Sequence, residues 1–309
     1  MEKNFKTMAQ NEKYLEAVRQ DGRALRRVQK QNPRICLTAV KQNGMALKYV
    51  KEQTPEICMA AVEQDGCALE YVKDQTPEIC LEAVKQNGRA LMYVHDWTPE
   101  ICLEAVRQDV RVLSMIGKQT DTLCLEAVKQ NSYALKFVRK QTPKICLEAV
   151  RKTGMAICYV KEQTPEICLA AVKQHGGALK YVEQQTEEIC LEAVKQDGLA
   201  LCHVKNPTPE ICCEAIKKDV KALKYVPKEM QTEKIYLEAV KNDGTSLRYV
   251  PKNKQTLAIA LAALRQNPES IEYLAPMFRT PEVCRAAGVK YSPQGNSQQD
   301  VSRIQCQNR

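Results

Sequence analysis

From Thr76 the chain reads T-P-E-I-C-L-E-A-V-K-Q-N-G-R-A-L-M-Y-V, with Ile79, Cys80, Leu81, Ala83 and Val84 forming one apolar group and Ala90, Leu91 and Val94 a second. On a helical wheel the first group fills an arc of roughly 200°, with Glu78, Glu82, Lys85 and Gln86 on the remainder. An arc that wide predicts neighbours on both sides. Thr76, Pro77 and Glu78 form a helix start, in which the hydroxyl accepts an orphan N–H, proline suits the first helical position and the acid suits the positive end of the dipole. The Asn87-Gly88 pair is the matching stop, and a shorter helix from Arg89 onward carries the chain to the next threonine.

The same pattern recurs from Thr54 through Thr76, Thr98, Thr120, Thr142, Thr164 and Thr186 to Thr208 at an interval of 22 residues, and at 24 to Thr232, Thr256 and Thr280. Gln10 and Asn32 hold the same place upstream. The expected fold is therefore all-α, an α-solenoid of about twelve 22–24-residue helix-turn-helix repeats. Each helix is shorter than the ~12–15 residues an isolated helix needs, so stacking must stabilise it. Residues 1–9 read as a lead-in, 10–288 as one repeat domain, and 289–309 as a polar tail whose composition predicts disorder. Val110 and Val220 stand where other repeats have the turn glycine. A β-branched residue resists positive φ, so either the turn changes there or Asp109 and Asp219 take the left-handed conformation. Pro227, Pro251 and the longer period after Thr208 predict an altered geometry toward the C-terminus.

Ten of the fifteen cysteines stand four residues after the reference position, from Cys36 through Cys80 to Cys284. Equivalent residues in stacked repeats sit ~8–10 Å apart, whereas a disulfide needs Cα atoms within ~4.4–6.8 Å. No C-x-x-C pair offers a zinc site. The ladder therefore reads as small hydrophobic packing residues and implies no cofactor or metal. Cys67, Cys158 and Cys202 fall elsewhere, on the second helix, and are candidates for exposed thiols. His95, His175 and His203 occupy three different repeat positions, and no G-x-S-x-G, P-loop, H-E-x-x-H or G-x-G-x-x-G motif occurs. No enzyme is expected. Trp97 replaces the glutamine that precedes the threonine and is expected to pack over the groove between repeats.

The formal net charge is +9. It is uneven: residues 1–31 carry eight Lys/Arg against four Asp/Glu, residues 32–214 carry 22 against 24, and residues 215–309 carry 16 against nine. A phosphate track along the repeats would need cations in most of them, so nucleic-acid binding by a helical repeat surface that reads bases is the secondary alternative, and the basic ends could still touch an anionic partner. No run of about eighteen apolar residues predicts a membrane span. A secretory leader is not visible, and the abundant cysteines fit a reducing compartment. The cytoplasm, or a host cytosol reached by a signal not visible here, is the expected location.

Against this uniform background two positions vary freely, thirteen and sixteen residues after the reference and one turn apart. Arg89 and Met92, Tyr133 and Lys136, Met155 and Cys158, Lys180, and Leu199 and Cys202 occupy them. Solenoids bind through such surfaces, and Tyr, Arg and Met are enriched at interfaces. These residues are the candidate surface for a protein partner of a monomeric chain, and the stretch from Met155 to Cys202 is the most apolar part.

The phrase LEAVKQNGRALMYV at residues 81–94 resembles the tandem helical repeat family catalogued as domain of unknown function 4116, and the similarity runs over about residues 10–279. The resemblance implies a helical repeat fold and no particular activity.

Overall fold

In the computed structural model the backbone of residues 2–291 and the side chains of residues 9–291 are described. The expected tail lies, from residue 292, outside the described residues. The chain divides into two compact units, residues 1–149 and 150–309, each described by itself. Both are built the same way, from ten-residue α-helices such as Pro77–Gln86 and Pro165–Gln174 alternating with six-residue segments such as Gly88–Tyr93 and Gly176–Tyr181. No strand occurs among the described residues. Within each unit successive α-helices pack side by side as one row and successive short segments as a second. The core lies between the rows, where Ile79, Cys80, Ala83, Val84, Ala90 and Leu91 are buried, as are their counterparts in other repeats. Leu81 is only half-buried, so the buried arc is narrower than its apolar pattern predicts. The lead-in residues belong to the first helix, Glu2–Gln20.

The helix starts follow the sequence: Thr76 is extended (φ −97°, ψ 157°) and its Oγ1 accepts the Ile79 N–H at 3.4 Å. The second element is the shorter helix expected, in 3₁₀ form. In Gly88–Tyr93 the Ala90 N–H donates to the Asn87 carbonyl at 2.8 Å and Val94 to Leu91 at 3.2 Å. Asn87 explains this. Its N–H closes the preceding α-helix on Ala83 at 2.9 Å, while its Oδ1 accepts the Arg89 N–H at 3.1 Å and opens the next segment. With one residue capping both helices, six residues must span the core before the extended Val94 (φ −73°, ψ 129°), and the tighter ~2.0 Å rise per residue covers more length.

The turn glycine is also not left-handed. Among the described residues only Gly288 has positive φ (75°), and Asn87, Asp109 and Asp219 are all extended. What demands glycine is proximity. A Cβ on Gly88 would lie 2.6 Å from the Ala105 carbonyl oxygen of the next helix, and one on Gly176 2.5 Å from that of Ala193. The same approach lets the Gly176 N–H donate to Gln196 Oε1 at 2.6 Å and Gly22 to Gln42 Oε1 at 2.7 Å. Where Val110 and Val220 stand instead, the amides of Gln130 and Asn242 donate to carbonyls of the preceding helix, those of Arg107 and of Ile216 and Lys217. The two extra residues per repeat after Thr208 are taken up by short 3₁₀ turns, Lys228–Met230, Lys252–Lys254 and Pro276–Phe278.

Candidate functional site

Inter-repeat cohesion depends on a side chain that the sequence pattern presents only as a polar loop residue, the glutamine before each threonine. Gln75 donates through Nε2 to the Tyr93 carbonyl at 2.8 Å, while its Oε1 accepts the His95 N–H at 3.0 Å and the Cys80 thiol at 3.5 Å. Gln53 repeats this with Tyr71, Lys73 and Cys58, and Gln163 with Tyr181, Glu183 and Cys168. The ladder cysteines are thus buried packing residues, as expected, and those that follow a glutamine are weak donors to this oxygen as well. Tyr236 holds the cysteine place and its hydroxyl reaches Gln231 Oε1 at 2.9 Å. The recurrence of glutamine in the same repeats as cysteine was the available signal. Trp97 and Pro207 interrupt the series, and their side chains offer no acceptor. The Trp97 ring is 38% exposed and its indole N–H donates to the Val94 carbonyl at 2.9 Å.

Burial pushes the ladder thiols up, those of Cys124 and Cys212 to about 11. Thiols held protonated are poor nucleophiles and poor metal ligands. Among the described residues no group of three or more His, Cys, Asp or Glu side chains is placed to hold a metal ion. None of the described helices is long and apolar enough to cross a membrane.

In the first unit, Arg89, Met92, Tyr133 and Lys136 all face solvent, Met92 being 58% and Tyr133 45% exposed. Arg89 is not idle there. Its Nε lies 3.4 Å from Asp109 Oδ2, which also takes Arg111 Nη2 at 2.7 Å, and the Arg111 hydrogen bond holds the Asp109 carboxyl below its usual range. In the second unit, Met155 and Leu199 are half-buried, while Cys158, Lys180 and Cys202 are exposed. Gly177 lies between Met155 and Leu199 in the thirteenth-position column. The 3₁₀ segments Gly154–Tyr159, Gly176–Tyr181 and Gly198–His203 pack in series, so these residues form two parallel columns, the first apolar and the second thiol–lysine–thiol. Burial raises the Cys158 thiol despite its exposed position. Cys67 is half-buried, accepts from Asn87 Nδ2 at 3.3 Å and is likewise raised, first by burial and then by Asp65. The geometry suits noncovalent contact better than thiol chemistry.

Comparison with known families returns a match to the profile described as Domain of unknown function (DUF4116) at residues 12–54, 32–75, 54–97, 76–120, 122–164, 164–207 and 232–279. No curated protein and no solved structure matches the chain.

Proposed function

Since the chain belongs to the Domain of unknown function (DUF4116) family, whose repeats supply a fold and no assigned chemistry, we propose that it is a non-enzymatic scaffold. It binds a protein partner through the variable face of its second-unit repeats, centred on Met155, Cys158, Lys180, Leu199 and Cys202. One observation carries this reading. Positions that link repeats are nearly constant, whereas the two solvent-facing columns change from repeat to repeat, and over this stretch one column presents half-exposed Met155 and Leu199 side by side with Gly177. Partly buried apolar side chains on a regular backbone have their positions set before a partner arrives, which lowers the ordering cost of contact. The reading includes a reducing compartment such as the cytoplasm, which fits the free thiols of the described residues.

The test is affinity capture with mass spectrometry from the native cell, comparing the full chain with Met155→Asp/Leu199→Asp. Loss of a reproducible partner with an unchanged far-UV circular dichroism spectrum is the expected result. Undiminished capture by the folded variant removes this face from consideration.

A further inference from the structure

The two columns do not end at Cys202. In the next repeats of the same unit they continue as Lys221 and Lys224, then Thr245 and Arg248, and Lys228 follows in the adjoining 3₁₀ turn. Lys221, Lys224, Lys228 and Arg248 are all exposed, and none has an ion-pair partner among the described residues. By contrast Lys217, on the neighbouring helix, pairs with Glu214 at 2.6 Å. Of the acids nearest the strip, Asp219 Oδ1 accepts the Lys221 N–H at 2.8 Å, Asp243 Oδ1 accepts the N–H and hydroxyl of Thr245 at 2.9 and 2.8 Å, and Glu229 stands beside Lys228 in the same turn. The strip thus presents four cations outside any ion pair among the described residues, directly continuous along the chain with the apolar stretch.

The tyrosines beside it indicate the class of partner. Tyr225 and Tyr249 are 37% and 42% exposed, but Lys224 Nζ sits 4.6 Å from the centroid of the first ring and the Arg248 guanidinium 4.8 Å from that of the second. A cation thus occupies one face of each ring, a face on which a base of a single strand would stack. A phosphate track would also need cations upstream, where Met155, Gly177 and Leu199 stand. We infer that the strip takes the acidic half of a protein segment whose apolar half lies over Met155 and Leu199. The inference rests on the scaffold reading above and specifies its partner. Five repeats at ~8–10 Å each set the columns over ~40 Å, which an extended segment of about a dozen residues covers.

A display library of random peptides about fifteen residues long, selected on the immobilised full chain, tests this. The expected winners carry Asp and Glu clustered in one half and apolar residues in the other. Their affinity should fall roughly tenfold or more both in high salt and on Lys221→Glu/Lys224→Glu/Arg248→Glu, whose fold is checked by circular dichroism. Winners without acidic enrichment, or winners indifferent to the charge reversal, overturn the inference. If they are still lost on Met155→Asp/Leu199→Asp, the scaffold reading survives alone. Acidic winners that ignore the Met155/Leu199 variant refute the apolar site instead. Recovery of no peptide counts against both readings. A polyuridine oligonucleotide that binds and is released by the charge reversal makes the strip a nucleic-acid site and also overturns the inference.

Discussion

Replacing Gln75 by leucine probes the hydrogen-bonded link between repeats at nearly constant volume. The amide makes two well-formed bonds, to the Tyr93 carbonyl at 2.8 Å and from the His95 N–H at 3.0 Å, and two weak ones, to the Leu69 carbonyl and from the Cys80 thiol, both at 3.5 Å. Each good bond contributes a net ~0.5–1.5 kcal/mol. Tyr93 is half-buried and His95 exposed, so water recovers part of the loss, and the leucine adds a little apolar burial at a half-buried site. The expected destabilisation is about 1–2 kcal/mol. Urea unfolding followed by circular dichroism measures it, and amide hydrogen exchange localises it, with the His95 N–H losing protection. The Gln75→Glu variant separates the two halves of the link, keeping the acceptor for His95 and Cys80 while placing a carboxylate against the Tyr93 carbonyl. Stability within about 0.5 kcal/mol of the parent, together with unchanged His95 exchange, would refute the reasoning.

Three further outcomes follow from the same geometry. Gly88→Ala should cost about 1–3 kcal/mol in urea unfolding, because the new Cβ meets backbone, the Ala105 carbonyl at 2.6 Å. Gly177→Ala should cost less than about 0.5 kcal/mol, because its Cβ meets only the movable His175 ring at 2.9 Å; equal losses would show that the helix spacing is not set by the glycine. At neutral pH a maleimide should modify Cys158 and Cys202 well ahead of the buried ladder, Cys80 and Cys168 included, which should label only on unfolding, and peptide mapping that finds uniform labelling would contradict this. With Cys124 and Cys212 raised to about 11 in the folded chain, their contribution is complete below the unfolded thiol value of about 8.5 and is lost as pH rises toward the folded value. The urea midpoint should therefore fall between those limits less steeply in Cys124→Ala/Cys212→Ala than in the parent.

The sequence carried the period, the helix starts and the core positions, because each depends on residues close together in the chain. Thr76 caps Ile79 three residues on, and Ile79, Ala83 and Val84 share one helix face. It did not carry what depends on the next repeat. Gly88 reads as a turn residue, yet its necessity comes from a carbonyl seventeen positions later. Gln75 reads as a solvated loop, yet its partners lie eighteen and twenty positions on. The 3₁₀ character of Gly88–Tyr93 was hidden for another reason, since six residues are too few for periodicity to distinguish three residues per turn from 3.6. The variable columns were legible because nothing in the repeat constrains them, and the structure leaves Met92, Tyr133, Cys158 and Cys202 exposed.

On the proposed reading cohesion and recognition fall to different columns of one repeat, and two departures from the pattern bear on both. Trp97 and Pro207 displace the linking glutamine, and Val110 and Val220 displace the close-approach glycine, each pair separated by 110 residues, or five repeats of 22. Both interruptions therefore remove the side-chain acceptor before a threonine and put a β-branched residue at the place of close approach. In the second unit the altered repeat spans residues 208–231, the stretch between two family matches. Pro207 brings no donor or acceptor, and Pro227, twenty residues on, has no N–H to be accepted, so the two substitutions are mutually consistent. The variable columns change character at this same repeat, from Leu199 and Cys202 before it to Lys221 and Lys224 within it. A repeat released from the glutamine link is thus the one at which the surface passes from apolar to cationic, and a partner segment crossing that boundary would read both chemistries within one continuous row of 3₁₀ segments.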